Sequence, residues 1–503
     1  MEKLISPRLQ QYNLKHKASF FSAFSTLSFS IIAFIYHPSI FINGRIWAEE
    51  GKHFLEHAHT NGAVASLMYV HKRHMDFIPN LASFIAIHFP RSWTPYVFPA
   101  IAFGVYIFFF FCCGFVLKKA LVGSKTTSTS QKSVAWIQAS SLLIGALLLG
   151  AFTASTPWGI ETFLNTINSW AVLSASFAIL LPWLEGNAAI IAPMLLMSTA
   201  FPVILFSPYV LLRWLTTRSR QSLYLLIGSL IGATFQTSLV LFTPIQSSLE
   251  LIDGNARNIN IENISLVPGL MWEKLYGPLL GMSYAMKDLD RKAILSSSTT
   301  IIMMVIIALV SIGVFYRFKL SNKRSILYSF NSKQTNLNAL IPTESLDSLL
   351  AVWTWQFFAF AFSHDGASVQ LQFGAAPRYF ATSAFVFYFE IIFIAIINAN
   401  RLILSNINSI NPYKLIRAKP PQIKAGIKVI GTILLSLYAV ASLLAAQVTR
   451  PYVVQGDVWC FQSRPEFNGI LITESPNRED IGKLEYKICP PRPGMKIKLS
   501  NKH

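Results

Sequence analysis

The segment PYVFPAIAFGVYIFFFFCCGFVLKK, Pro95 to Lys119, decides the fold class of this chain. It carries no charged side chain before Lys118, and it then ends on two adjacent lysines. About 20 consecutive apolar residues are enough for a helix to cross the hydrocarbon core of a bilayer. A basic pair just after such a run is typical of the cytoplasmic end. The segment therefore predicts a transmembrane helix over about 95–117.

Similar apolar runs recur along the rest of the sequence. They cover about 18–36, 134–152, 169–184, 222–243, 297–316, 348–362, 379–397 and 427–446, with two shorter, proline-interrupted pieces in 187–212. The whole chain is 53% hydrophobic and only 13% charged, about half the charged share of a soluble domain. We expect an all-α polytopic membrane protein with about eleven transmembrane helices. Residues 77–90 are short for a span, and the sequence leaves open whether they cross.

The formal net charge of +19 follows the predicted topology. The segments expected in the cytoplasm are rich in Lys and Arg and nearly free of acids; they are 1–17, 118–132, 213–221, 317–346 and 399–426. This asymmetry is the positive-inside pattern, so the basicity indicates orientation and no nucleic-acid partner is expected. The N-terminus is expected inside, and the basic N-terminal segment with its apolar run is expected to stay as an anchor.

The same topology divides the chain into two parts. Residues 1–446 form the predicted transmembrane domain, and 447–503 form a small periplasmic tail. The external loops are expected at 37–76, 153–168, 244–292 and 363–378. Cys460 and Cys489 lie in the tail, where export permits a disulfide between them.

The first external loop contains the stretch RIWAEEGKHFLEHAHTNG, Arg45 to Gly62. Its acidic pair, Glu49 and Glu50, is the candidate catalytic group, because a carboxylate can take the proton from an attacking hydroxyl. Glu49, His53 and His57 also have helical spacing, and they are the weak alternative of a divalent metal site for Mg²⁺ or Mn²⁺. No established metal-binding signature is present, so metal-free base catalysis is preferred.

Basic and aromatic residues at the predicted outer face are candidates for substrate binding. The loop residues His71, Lys72, Arg73 and His74 place positive charge against the positive-inside trend and suit a phosphate. Arg378 and Tyr379 stand at the outer start of the predicted span at 379–397. Glu161 lies between two tryptophans, in the external loop predicted at 153–168. For the cations, attraction to anionic lipid headgroups is the competing interpretation.

The motif W-A-E-E-G, followed by H-M-D-F-I-P at His74 to Pro79 and R-Y-F at Arg378 to Phe380, resembles GT-C-fold glycosyltransferases. Within that superfamily it is similar to bacterial polytopic proteins with a W-A-E-D-G-type motif; Glu50 stands where Asp is expected. The resemblance implies a polyprenyl-phosphate sugar donor and an envelope-glycan acceptor such as lipopolysaccharide O-antigen. It also implies an active site on the periplasmic face of the bacterial inner membrane.

Two other functions stay open at the level of sequence. A secondary transporter or flippase would use Glu390, which lies inside the predicted span at 379–397, together with the interrupted helices at 187–212. A polysaccharide polymerase or ligase would also bind lipid-linked glycans through external cations. No Walker or dinucleotide-binding motif is present, so the sequence offers no support for ATP hydrolysis or redox chemistry.

Overall fold

The structure is a computed structural model. It describes residues 7–36, 38–46, 50–71, 74–90, 93–122, 131–155, 164–197, 200–242, 381–390, 392–393, 396, 484–487 and 496–499. Predicted spans at 297–316, 348–362 and 427–446 lie outside the described residues, as do Cys460 and Cys489. Within the described part the chain is mostly helical, as the apolar runs predict.

The N-terminal half begins with a long helix and a compact loop. Helix α1 covers Pro7–Tyr36 and α2 covers Pro38–Asn43. A π-helix at Glu50–Leu55 leads directly into α3, Glu56–Asn61, and α4, Ala63–Leu67, follows. Strands β1, Val70–His71, and β2, His74–Met75, then form a small antiparallel hairpin before α5, Phe77–Ala86.

The longer helices follow. They are α6 at Thr94–Val122, α7 at Gln131–Ser155, α8 at Ser169–Leu180, α9 at Ala188–Met197, α10 at Ala200–Thr217 and α11 at Arg220–Phe242. A single 3₁₀ turn, Leu181–Trp183, follows α8. Residues 381–390 form a further helical stretch. Near the end of the chain, β3 at Leu484–Lys487 pairs antiparallel with β4 at Lys496–Leu499.

Two of the described helices are long and apolar enough to cross a membrane. They span 94–118, with a mean hydropathy of 2.5, and 220–239, with a mean hydropathy of 1.3. These helices coincide with the predicted spans at about 95–117 and 222–243. Helix α5 has ten residues and is therefore roughly 15 Å long, about half the thickness of a hydrocarbon core. Residues 77–90 therefore contain a short helix, in agreement with the short apolar run in the sequence.

Helix α1 packs closely against both α6 and α7. The rings of Phe29 and Tyr106 stack with centroids 4.6 Å apart, and the Ser28 hydroxyl donates to the Leu147 carbonyl at 2.8 Å. At Gly150 of α7, an added Cβ would collide with the backbone carbonyl of Ser25. A small residue at this crossing lets the two backbones approach, as in membrane helix pairs.

Helical residues 381–390 complete the core beside α6, α7 and α8. The Phe385 ring lies against Phe109, and the Tyr388 ring stacks on Phe152 at 5.2 Å. At the start of this stretch, the Thr382 hydroxyl donates to the carbonyl of Ala171 at 3.0 Å. Because Ala171 lies in the first turn of α8, the helical stretch 381–390 begins near the N-terminal end of α8. Glu390 is half-buried at the other end of the stretch.

Candidate functional site

The ends of three helices meet around the first loop. Helix α6 reaches it through Pro95, whose carbonyl accepts from the backbone N–H of Arg45 at 2.7 Å. The segment before α8 reaches it through Leu164 and Thr166. The last turns of α11 reach it through Gln236. One end of the helical bundle therefore collects most of the polar contacts that join distant parts of the described chain.

Glu50, the first residue of the π-helix, is fully buried, with 0% of its surface exposed. Its Oε1 atom accepts two hydrogen bonds from Thr166, one from the backbone N–H at 2.7 Å and one from the hydroxyl at 2.6 Å. Short bonds of this kind hold the carboxylate oxygen in a fixed position. The structure thus gives Glu50 the surroundings of a fixed hydrogen-bond acceptor.

Arg45 is the buried cation of the same region, only 4% exposed. Its Nη2 atom donates to the carbonyl of Leu164 at 2.7 Å. Burial lowers the pKa of Arg45 from its ordinary value to about 10, while electrostatic interactions with Glu50 and Tyr106 act in the opposite direction. Arg45 consequently remains a cation at neutral pH, and its attraction to Glu50 offsets part of the desolvation cost.

A glycine makes this arrangement possible. Gly44 has φ of 69°, a conformation that side chains disfavour, and an added Cβ would lie 2.7 Å from the backbone of Pro95. The loop backbone can pass this close to α6 because there is no side chain at residue 44. The close approach places the next residue, Arg45, in hydrogen-bonding contact with Pro95.

A row of imidazole rings joins the π-helix to the hairpin. The rings of His53 and His71 are 4.3 Å apart between centroids, and those of His71 and His74 are 6.3 Å apart. His74 ends the row, with its Nε2 atom 3.1 Å from Asp76 Oδ2. The buried ring of Phe54 makes an edge contact with His71 at 5.5 Å. Such rings combine hydrogen-bonding nitrogens with flat apolar faces, which suits a sugar or a phosphate.

His57 lies outside this row and stacks on Tyr69, with centroids 4.1 Å apart. Its Nδ1 atom is 3.0 Å from the side-chain nitrogen of Asn61. Burial lowers the pKa of His57 below its usual 6.5, and a hydrogen bond involving the Ala65 backbone opposes that shift. The neutral ring is therefore the favoured form at neutral pH.

Two amides hold the hairpin that carries His71 and His74. Gln236 accepts from the N–H of Met75 at 3.4 Å and donates to its carbonyl at 3.0 Å. Asn80 donates to the carbonyls of Leu67 and Tyr69, at 3.2 and 2.9 Å. The two-residue strands form few hydrogen bonds with each other, so the side chains of Gln236 and Asn80 contribute much of what holds the hairpin in place.

The predicted site residues fall into two groups. Glu50, His71 and His74 lie at this end of the bundle, although Glu50 bonds to Thr166 whereas the two histidines belong to the hairpin strands. The remaining predicted residues lie outside the described part of the chain; they are Glu49, Lys72, Arg73, Glu161, Arg378 and Tyr379. Arg378 precedes described residue 381 by three positions in the sequence.

The weak metal alternative rests on Glu49, His53 and His57. Within the described ranges, no group of three His, Cys, Asp or Glu side chains is arranged to hold a metal ion. His53 contacts His71 and His57 contacts Tyr69. The third member, Glu49, is outside the described residues. No step below is assigned to a metal.

Sequence reasoning missed several residues of this region. Arg45 was present in the quoted stretch, and an arginine in an external loop runs against the positive-inside trend, so a signal existed. Thr166 and Gln236 gave no signal, since uncharged polar residues at helix ends are common. Strand β4 also contacts the π-helix and α3, which brings the C-terminal hairpin onto the first loop.

Comparison of the chain with family models, with curated proteins and with solved structures finds no match.

Proposed function

We propose that the protein is a polytopic glycosyltransferase of the bacterial inner membrane, of GT-C type with about eleven transmembrane helices. It would transfer a sugar from a polyprenyl-phosphate donor to an envelope glycan on the periplasmic face. The observation that carries this proposal is the polar cluster of acid, cation and imidazoles at one end of an otherwise apolar helical bundle. A lipid-linked donor presents its phosphate and sugar at that position, just outside the hydrocarbon core.

The outer surface of the bundle supports a membrane location. Large apolar side chains are exposed on its helices; they include Leu27, Ile31 and Ile35 on α1, Phe108 and Phe111 on α6, and Leu230, Ile231 and Leu241 on α11. Exposed apolar surface on this scale is unfavourable in water and favourable in lipid. Phe89 and Trp93, exposed between α5 and α6 with ring centroids 6.4 Å apart, suit the membrane interface.

The proposed reaction is a single displacement. One carboxylate of the Glu49–Glu50 pair accepts the proton of the acceptor hydroxyl, and the oxygen attacks the anomeric carbon of the donor sugar. The bond between that carbon and the phosphate oxygen breaks, and its electron pair leaves with the polyprenyl phosphate. Lys72, Arg73 and Arg378 would stabilise the departing negative charge. Attack opposite the leaving group inverts the configuration at the anomeric carbon.

The test of this proposal is replacement of each acid in a strain that lacks the chromosomal gene. Glu49→Gln and Glu50→Gln are expressed at matched levels, and the surface glycan is analysed by mass. Loss of a general base lowers the rate by a factor of roughly 10² to 10⁴, so at least one variant should leave the glycan unmodified. Glu185→Gln is the control, because Glu185 is exposed beyond the other end of α8. Wild-type glycan from both acid variants would contradict the proposal.

Transport of a lipid-linked or small polar substrate is the second candidate. Its support is α9, a ten-residue apolar helix with Pro193 in its interior, which packs on α11 at Gly228. Short helices of this kind form substrate sites in secondary transporters. A deletion strain that accumulates an unmodified lipid-linked intermediate on the cytoplasmic side would favour transport over transfer.

A further inference from the structure

The first loop and the segment before α8 are joined by buried polar contacts from two charged residues. Glu50 receives the backbone and side-chain hydrogen bonds of Thr166, and Arg45 donates to the carbonyl of Leu164 two residues earlier. The partners are 116 and 119 residues apart in sequence. Both charged side chains are inaccessible to solvent or nearly so. The two charges therefore fix one external segment against another.

This geometry differs from that required of a general base. A base needs a carboxylate oxygen within hydrogen-bonding reach of a proton on the substrate. Glu50 has no exposed surface, and its Oε1 atom already accepts two short bonds.

We propose that Arg45 and Glu50 are positioning residues, which together with Thr166 form a buried latch that sets the conformation of the first loop. The catalytic part of this inference rests on the proposed function, since it leaves proton transfer to the other member of the acidic pair. The structural part does not rest on it. The latch fixes the start of the π-helix, from which the chain continues to His53 and the imidazole row.

The opposite charges of the latch provide a sharp test. Removing one charge leaves the other buried without its counter-charge, whereas removing both avoids that penalty. Arg45→Met and Glu50→Gln should each lower the temperature at which half of the purified full-length protein remains monodisperse, by about 5 °C or more. The double variant should be more stable than either single variant and should modify more glycan per folded molecule. A catalytic Glu50 predicts the reverse, a double variant as inactive as Glu50→Gln.

Substitutions of Thr166 test the latch without changing any charge. Thr166→Ser keeps both donors and should retain wild-type stability and glycan modification. Thr166→Val keeps only the backbone donor and should lose part of both. Additive effects of the two charge substitutions, or equal behaviour of the two Thr166 variants, would overturn the latch.

The outcomes also separate the latch from the proposed function. If no variant, including Glu49→Gln, alters the surface glycan, the transferase proposal fails. The comparison of melting temperatures between the single and double variants at positions 45 and 50 would still decide whether the latch exists. If Glu49→Gln abolishes modification but the couplings are absent, the transferase proposal stands and the latch fails.

Discussion

The two sides of the π-helix differ in how their polar groups are held. On one side, Arg45 and Glu50 are buried and bonded to groups more than 100 residues away. On the other, His53 and His74 are partly exposed and contact neighbours within the same loop. A buried charge with fixed partners has little freedom to exchange protons or ligands, whereas a half-exposed imidazole can do both. We therefore propose loop positioning for Arg45 and Glu50 and ligand contact for the imidazole row.

Among substitutions that test this comparison, the largest loss of stability is expected from a change at Gly44. Gly44→Ala combines a disfavoured backbone conformation with a clash against Pro95, and it should destabilise the protein by about 2–5 kcal/mol. The matched control is Gly104→Ala in α6, where an added Cβ meets nothing within 4 Å. That change removes a helical glycine and should be neutral or stabilising by about 0.5–1 kcal/mol. The measurement is the thermal unfolding curve of each variant in the same detergent. Equal melting curves would show that the latch side tolerates a displaced loop.

A smaller effect is expected at Gln236, which acts on the hairpin side. Gln236→Ala leaves the backbone groups of Met75 without their side-chain partner, at a cost of about 1–3 kcal/mol. The control is Thr237→Ala, since Thr237 is exposed on the next position of α11. Limited proteolysis within residues 68–76 reports on the hairpin directly. We expect faster cleavage there in Gln236→Ala alone, and the same rate in both variants would show that Gln236 does not hold the hairpin.

How much of this end of the bundle the sequence could predict depends on the range of each interaction. Apolar runs alone predicted the two helices at 94–118 and 220–239, because a span is a local property. The contacts of Glu50 with Thr166 and of Arg45 with Leu164 join separate loops, and local sequence carries no record of such pairing. The stretch YVHKRHM was interpreted as a cationic loop, whereas Val70–His71 and His74–Met75 form strands held by Gln236 and Asn80.

Helical spacing grouped His53 with His57, as an α-helix places residues four apart on one face. Residues 50–55 form a π-helix, whose hydrogen bonds run between residues five apart. The two rings reach one aromatic cluster, because His53 contacts His71, His57 contacts Tyr69, and the Tyr69 and His71 rings are 6.2 Å apart between centroids. π-helical turns occur frequently at functional sites, which agrees with the position of this one.

The smallest expected effect concerns the protonation of His57. Because its pKa in the folded protein is lowered, the unfolded chain binds the proton first as the pH falls below 6.5. The contribution of His57 to the free energy of unfolding should therefore be fully present above pH 6.5. It should decrease as the pH falls from 6.5 towards the lowered pKa of His57. His57→Gln should reduce this dependence by removing one titrating group. Melting temperatures of both proteins between pH 7.5 and 5 test the prediction, and identical slopes would contradict it.

The contact of β4 with the π-helix and α3 has a consequence for biogenesis. Lys496 of β4 follows Asn61 of α3 by about 435 residues, so the contact can form only after the residues between them have been synthesised. Contacts between such distant segments are slow to form, because a long loop must close first. The first loop is therefore made well before the strand that rests on it.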